Sequence, residues 1–350
     1  MAAPYATSRL AMDGARVIKV ERPGGDFARG YDRAAAGQSS YFVWLNAGKE
    51  SLTLDLRDGE DLALARRIAA RADVVIENLA PGALPRLGLD LSDLRAQHPA
   101  LITCSISGYG TGHAYETAKA YDLLVQAESG LCHVTGTPDG PGRVGFSVAD
   151  IACGMQAYAA ILKALIARGR DGAGQHVELS LFSTLAEWMA VPYLQARAGT
   201  PPARVGVAHP SIAPYGVYIT RDGMRIVLSV QSELEWQRLE PRLLGVTDPR
   251  FASNVERVAH RAALDAAVSE ALAALSVEEA EALLDECGIA HARLRDLEQA
   301  MAHPALRWHE VATPGGPVAL PLPATGLPDR TGPVPAAGAD SARLRREFAP

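Results

Sequence analysis

Cysteine is scarce and scattered in this chain. Cys104, Cys132, Cys153 and Cys287 are its only four in 350 residues, and they form neither a CxxC pair nor the Cys/His spacing of a metal site. That pattern excludes a disulfide framework and leads us to expect free thiols in a reducing cytoplasm. A long hydrophobic run is also missing. The longest, Ile151 to Ile166, contains Gln156 and Lys163 and falls short of the roughly 20 residues that span a bilayer. It reads as a buried helix, so no membrane association is expected. The opening stretch "MAAPYATSRLAMDGARVIKVERP" has neither the basic start nor the apolar core of a signal peptide. Lys and Arg form no stripe and the formal net charge is -6, which argues against nucleic acid as a partner. There is no internal repeat, no charged low-complexity block and no GxSxG elbow, and the histidines suggest no hydrolase triad.

What is present is apolar and alternating. With 48% hydrophobic residues over 350, the chain can build two compact domains or one large α/β domain with an insertion. Short β-rich runs at Arg16–Val20, Ser51–Leu56, Val74–Glu77 and Leu101–Ser105 are separated by helical patterns such as Glu60–Arg71 and Leu91–Gln97. This alternation predicts a parallel sheet covered on both faces, with ligands at the carboxyl ends of its strands. Helical patterns follow at Lys119–Leu131, Ile151–Arg168 and Thr184–Arg197, with a strand at "HVELSLF" before the last. "AGTPPARVG" breaks the composition and is a candidate linker. Beyond it, "PYGVYITRDGMRIVLSV" carries Asp-Gly at a hairpin turn, and helices around Glu233–Leu243, Arg261–Leu275 and Val277–Cys287 complete a smaller α+β domain. The tail Pro314–Pro335 is rich in Pro and Gly without strong periodicity and is expected to return over the large domain. The expected boundaries are therefore 1–200, 201–304 and 305–350.

One acidic residue stands at the start of the longest apolar helix. In "SVADIACGMQAYAAILKAL", Asp150 can serve as a helix cap, or as a nucleophile kept ionised by the helix N-terminus, with small Ala149, Ala152 and Gly154 leaving room for a substrate. The residues alone leave both roles open. Gly108, Gly110 and Gly112 in "SGYGTGH" are a weak dinucleotide signal and read better as a tight turn. Arg22, Arg29, Arg86 and Lys119 lie in or beside strand-end loops, where they can grip phosphates or simply face solvent.

Seven segments combine into a larger pattern. "GARVIKVERPGGDFARG", "NAGKESLTLDLRDGED", "ADVVIENLAPGALPRLGLD", "PALITCSISGYGTGH", "KAYDLLVQAESGL", "VTGTPDGPGRVGFSVADIACGMQAYAAI" and "GAGQHVELSLFSTL" resemble, in order and spacing, the family III CoA-transferases. That family includes formyl-CoA:oxalate and carnitine CoA-transferases and, as a side branch, α-methylacyl-CoA racemase. The resemblance runs from Ala2 to about Phe251. It implies a Rossmann-like large domain plus a small α+β domain, joined by linkers near Ala198–Ala208 and Met301–Pro317, in an interlocked homodimer. It also implies a first strand and loop ahead of "AAPYATSRLA", which this chain lacks, with Met1 an internal start or a truncation.

Residue by residue, the resemblance implies Asp150 as the catalytic nucleophile, CoA contacts at Arg22, Leu54, Asn78, Arg86 and Lys119, and Tyr121 beside the thioester. CoA thioester is then a substrate, with no permanently bound cofactor and no metal. The implied reaction passes CoA from an acyl-CoA to a small carboxylic acid through an aspartyl anhydride and an aspartyl-CoA thioester. The racemase branch requires a His where this chain has Tyr121, a poor proton acceptor near neutral pH, so transfer is favoured. An inactive paralogue that only binds CoA is the other alternative. "GVAHPSIAPYGVYITRDG" and "SVQSELEWQRL" resemble the subgroup acting on C4–C5 dicarboxylates with succinyl-CoA as donor, and Arg204, His209 or Arg225 are candidates for the distal carboxylate.

Overall fold

The computed structural model describes residues 1–323 and 332–350. They form two compact units: Met1–Gly130 with Val144–Ala190 and Ala305–Pro350, and Leu131–Arg143 with Val191–Pro304. The first unit opens with α1 (Ala2–Met12), β1 (Ile18–Glu21), α2 (Ser40–Asn46), β2 (Glu50–Thr53) and α3 (Gly59–Ala70). It continues with β3 (Val74–Glu77), α4 (Ala83–Arg86), α5 (Leu91–Gln97), β4 (Ile102–Ser107) and α6 (Asp122–Glu128). The chain then contributes α7 (Leu131–Val134) and the two-residue strands β5 (Gly136–Thr137) and β6 (Gly140–Pro141) to the second unit. It returns as α8 (Val148–Asp171), β7 (His176–Ser180) and α9 (Leu181–Trp188), which α10 (Ala190–Arg197) follows.

Strand β1 pairs in parallel with β2, and β3, β4 and β7 form a parallel three-stranded sheet with β4 at its centre. The helices between them supply the crossovers that parallel strands need. Side-chain caps mark where these helices begin: Asp58 accepts the Glu60 and Asp61 amides at α3, and Asp90 accepts the Ser92 amide at α5.

The second unit is antiparallel. After β8 (Tyr215–Ile219) and β9 (Arg225–Ser229) come α11 (Glu233–Leu243), α12 (Asn254–Ala259), α13 (Arg261–Ala273), α14 (Val277–Cys287), β10 (Ala290–Arg293) and α15 (Leu297–Met301). The sheet order is β10-β9-β8, and its apolar face meets Trp236, Leu239, Leu264, Leu272 and Leu284 in one core. Reciprocal capping boxes, Ser232 with Glu235 and Ser276 with Glu279, start α11 and α14. The first unit ends with β11 (Trp308–Thr313), β12 (Gly316–Pro321) and α16 (Ser341–Glu347), which packs Leu344 and Phe348 against Leu52, Leu54 and Leu64.

Four local expectations need correction. The helix read over Lys119–Leu131 starts only at Asp122, because Ala120 is pressed against Gly108: a Cβ on Gly108 would lie 2.1 Å from that of Ala120. Thr184–Arg197 is two helices, since Pro192 lacks the N–H that a continuous helix needs and is tolerated only in the first turn of α10. Part of the Pro/Gly-rich tail is strand β12, paired with β11 from Trp308↔Pro321 to Thr313↔Gly316; its residues 324–331 lie outside the described ones. Helix α8 is longer than the apolar run, 24 residues in all.

By length and composition α8 can cross a membrane, but it lies against α1, α9, β4 and β7 with Ala152, Cys153, Ala157, Ile161 and Ala164 buried. Gly154 does not leave space for a substrate. A Cβ there would meet the Ala2 carbonyl at 2.8 Å and Tyr5 Cβ at 2.9 Å, so the missing side chain is what admits α1. From the other side, the buried Lys49 ammonium donates to the Pro4 carbonyl (2.9 Å) and Thr7 Oγ1 (2.8 Å), both on α1, and burial holds its pKa well below the usual lysine range. Gly154→Ala is expected to lose about 1–3 kcal/mol of stability by overpacking this contact, measured by denaturant unfolding.

Candidate active site

Asp150 is the third residue of α8, inside its first turn, and its side chain is 16% exposed. It is not the cap. The residue before the helix, Ser147, makes no side-chain capping bond. The cap comes instead from Asp122, the first residue of α6, whose Oδ1 accepts the amides of Ala149 (2.8 Å) and Asp150 (3.2 Å). Its Oδ2 accepts Gln126 Nε2 at 2.7 Å, and Gln126 Oε1 accepts the Val144 amide at 3.0 Å. No sequence pattern singles out Asp122 or Gln126, although "YDLLVQ" places them one helical turn apart.

Burial pushes the Asp150 carboxyl up, the neighbouring charge of Asp122 adds to the rise, and the Met1 amino group at 3.6 Å and the Ala2 N–H oppose it; the net direction is up. Cys153, one turn further along α8, is pushed up to about 11, and Cys104 on β4 to about 12, both chiefly by burial. Near neutral pH they are protonated, poor competitors for the role of nucleophile.

Aromatic residues stand near Asp150, and only Tyr121 among them is marked by a sequence motif. Tyr121 precedes α6 in extended conformation and is 67% exposed. Tyr31, which no sequence pattern singled out, has its hydroxyl pushed up by burial and by the charges of Asp26 and Asp150, with Tyr121 and Tyr41 contributing. Its ring also meets Phe27 and Tyr41 edge-on, each at 5.6 Å between centroids.

Three of the other expected contacts lie directly after strands. Arg22 and Leu54 immediately follow β1 and β2, whose last residues Glu21 and Thr53 are register partners, and Asn78 immediately follows β3. Arg22, Asn78, Arg86 and Lys119 are exposed. Leu54 is 3% exposed in the core, so only its backbone can meet a ligand. Arg86 turns back to the Pro81 carbonyl (3.3 Å), and Arg22 to that of Gly25 (3.2 Å). This is the carboxyl-end location that open α/β sheets offer to ligands.

Arg29 is otherwise engaged. Its Nε and Nη2 donate to the two oxygens of fully buried Glu21 at 2.8 and 2.7 Å, and its guanidinium lies 3.6 Å from the Phe42 ring centroid. Burial alone would raise the Glu21 carboxyl, but hydrogen bonds from Arg29, Ser51 and the Asp26 amide outweigh it and the net direction is down. In the second unit, Arg204 donates to the carbonyls of Thr137 (3.0 Å) and His133 (3.2 Å), His209 stacks on Tyr215 at 5.4 Å, and Arg225 is an exposed residue of β9.

Over residues 1–341 the chain matches the family described as CoA-transferase family III. It is 41% identical over 277 residues to the succinate–glutarate CoA-transferase of Agrobacterium fabrum, covering 75% of this chain and 68% of that protein. With the acetyl-CoA:oxalate CoA-transferase of Acetobacter aceti it shares 36% identity over 360 residues, 99% of this chain and 92% of the relative. Among solved structures, a CaiB/BaiF family protein from Brucella suis superposes with a TM-score of 0.83 at 34% identity, covering 99% of this chain and 96% of the other.

Removing the guanidinium beside Glu21 leaves a buried carboxylate short of its partner, so Arg29→Ala is expected to cost about 3–5 kcal/mol at pH 7. Because the folded Glu21 value is depressed, this contribution is present above the unfolded value of about 4.3 and is lost as pH falls through the folded one. Denaturant unfolding of wild type and variant across pH 3–7 measures the gap, which should close on the acid side.

Proposed function

The chain belongs to CoA-transferase family III and is a CoA-transferase, and from that premise we propose that Asp150 is the nucleophile that carries CoA from succinyl-CoA to a C4–C5 dicarboxylate. The observation that carries this reading is the placement of Asp150, a carboxylate 16% exposed in the first turn of the longest helix, held through its backbone amide by Asp122 and close enough to Tyr31 for its charge to act on that hydroxyl.

The chemistry follows from the group. The Asp150 carboxylate attacks the thioester carbonyl, the C–S bond breaks, and CoA leaves as a thiolate, with a mixed anhydride left on the enzyme. The thiolate then attacks the Asp150 carbonyl of that anhydride, releasing the first carboxylate and leaving an aspartyl-CoA thioester. An incoming carboxylate reverses the two steps and departs as the new CoA thioester. No net proton is exchanged, and the thioester energy is conserved.

Relatives named for succinate and glutarate, mesaconate or citramalate support the dicarboxylate choice. Exposed Arg22 and Asn78 directly after β1 and β3, with exposed Arg86 at the end of α4 and Lys119 in the loop before α6, suit the phosphates and adenosine of CoA, and Tyr121, where a racemase needs a His, favours transfer over α-proton exchange. We also propose the interlocked homodimer. Val191 and Leu194 on α10 are 63% and 64% exposed, apolar side chains of the kind partners cover.

Incubation with succinyl-CoA and a panel of carboxylates tests the reaction. Transfer should require Asp150, with mass spectrometry finding a CoA adduct on the peptide that contains it; Asp150→Asn should lose both, and transfer persisting in that variant would sink the assignment. Better turnover with monocarboxylates overturns the dicarboxylate reading. For assembly, differently tagged native dimers should form no mixed species until they are unfolded and refolded together; rapid exchange argues against interlocking.

A further inference from the structure

The amides at the start of α8 are taken by a residue from another helix, and that residue carries the same charge as the nucleophile. Asp122 is 9% exposed, Gln126 is fully buried, and their bonds run in a chain from the Val144 amide through Gln126 and Asp122 to the Ala149 and Asp150 amides. Asp122 therefore stabilises the backbone of Asp150 while its own oxygen occupies the two amides that would otherwise favour an ionised Asp150.

We propose that Asp122 is a positioning residue that holds Asp150 in place and keeps a fixed negative charge beside its carboxylate, making that carboxylate a stronger nucleophile toward the thioester. This rests on the role of Asp150 proposed above. In the attack, one Asp150 oxygen gives its electron pair to the thioester carbon while the C–S bond breaks and the thiolate takes the charge away. Asp150 is anionic before the step and neutral as anhydride or thioester afterwards. A standing charge on Asp122 raises the energy of the first state and not of the others, so it drives acylation. Gln126 links the same carboxylate to Val144, so the segment leading into α8 and the nucleophile are fixed by one network.

Among the described residues, groups from four elements face Asp150. From α1 come the Met1 amino group and the Ala2 N–H, from α6 Asp122, from the segment after β1 the Tyr31 hydroxyl, and along α8 itself the Cys153 thiol, which bonds Thr184 of α9. Among them, Asp122 is the group that both touches the Asp150 backbone and acts on its charge.

The test compares wild type with Asp122→Asn, which keeps the shape and one accepting oxygen but not the charge, and with Asp122→Glu, which keeps the charge. For each, the acid limb of kcat/KM for succinyl-CoA is measured. The Asp150 carboxyl is also titrated by NMR in protein labelled with 13C-aspartate, its signal assigned by loss in Asp150→Asn. In Asp122→Asn both limb and titration should move down by about one pH unit, with kcat down about tenfold and KM for succinyl-CoA little changed. In Asp122→Glu both should stay where wild type has them. A merely structural role would lower kcat and thermal stability without moving the titration, and that result overturns the proposal. So does a titration that falls in Asp122→Glu, which keeps the test decisive where Asp122→Asn does not fold. The NMR titration needs no substrate, so absence of transfer in wild type would count against the proposed reaction and leave this arm to decide the role of Asp122.

Discussion

The bonds from Asp122 to the amides of Ala149 and Asp150 decide more about this protein than their size suggests, because they tie the start of its longest helix to the loop that presents Tyr121. An uncapped helix end leaves amides without partners, and these are commonly satisfied by a side chain just before the helix. Here Ser147 provides no such bond, and the partner comes from a helix starting 28 positions before Asp150. The geometry around Asp150 consequently depends on how α6 packs, as well as on the local sequence of α8.

Packing around α8 follows from small side chains at particular points. Gly154 lets α1 approach to van der Waals distance, and Gly108 lets Ala120 fold over the end of β4, which sets Lys119 and Tyr121 where they are. Neither glycine is a phosphate-cradling signature in this structure; both are places where two backbones come close. The buried lysine at Lys49 completes the anchoring of α1 by donating to neutral oxygens of that helix and of Asn46.

Electrostatics divides the buried carboxylates by their partners. Glu21 has a guanidinium, a hydroxyl and an amide, and its pKa goes down in spite of burial. Asp150 is buried against another acid with weaker compensation, and its pKa goes up. Two acidic side chains of one unit are thus shifted in opposite directions, Glu21 down by its partners and Asp150 up by burial. Nothing in their local sequences, "KVERP" and "VADIA", distinguishes these fates.

The alternation of strands and helices, the hairpin at Asp222-Gly223, and the extents of β3, α5, α11 and α14 were legible from periodicity and turn residues, because such signals act over a few neighbouring positions. The family resemblance rested on ordered motifs and agrees with the match over residues 1–341. Other features came only with the tertiary structure: the capping of α8 by Asp122, the use of Gly154 by α1, the pairing of Arg29 with Glu21, the placing of Tyr31 near Asp150, and the grouping of Leu131–Arg143 with the second unit. Each depends on which distant segments meet. Sequence by itself determined where a carboxylate stands at a helix start, since that is a matter of local pattern, whereas folding decided which charges surround it and so which way its pKa moves.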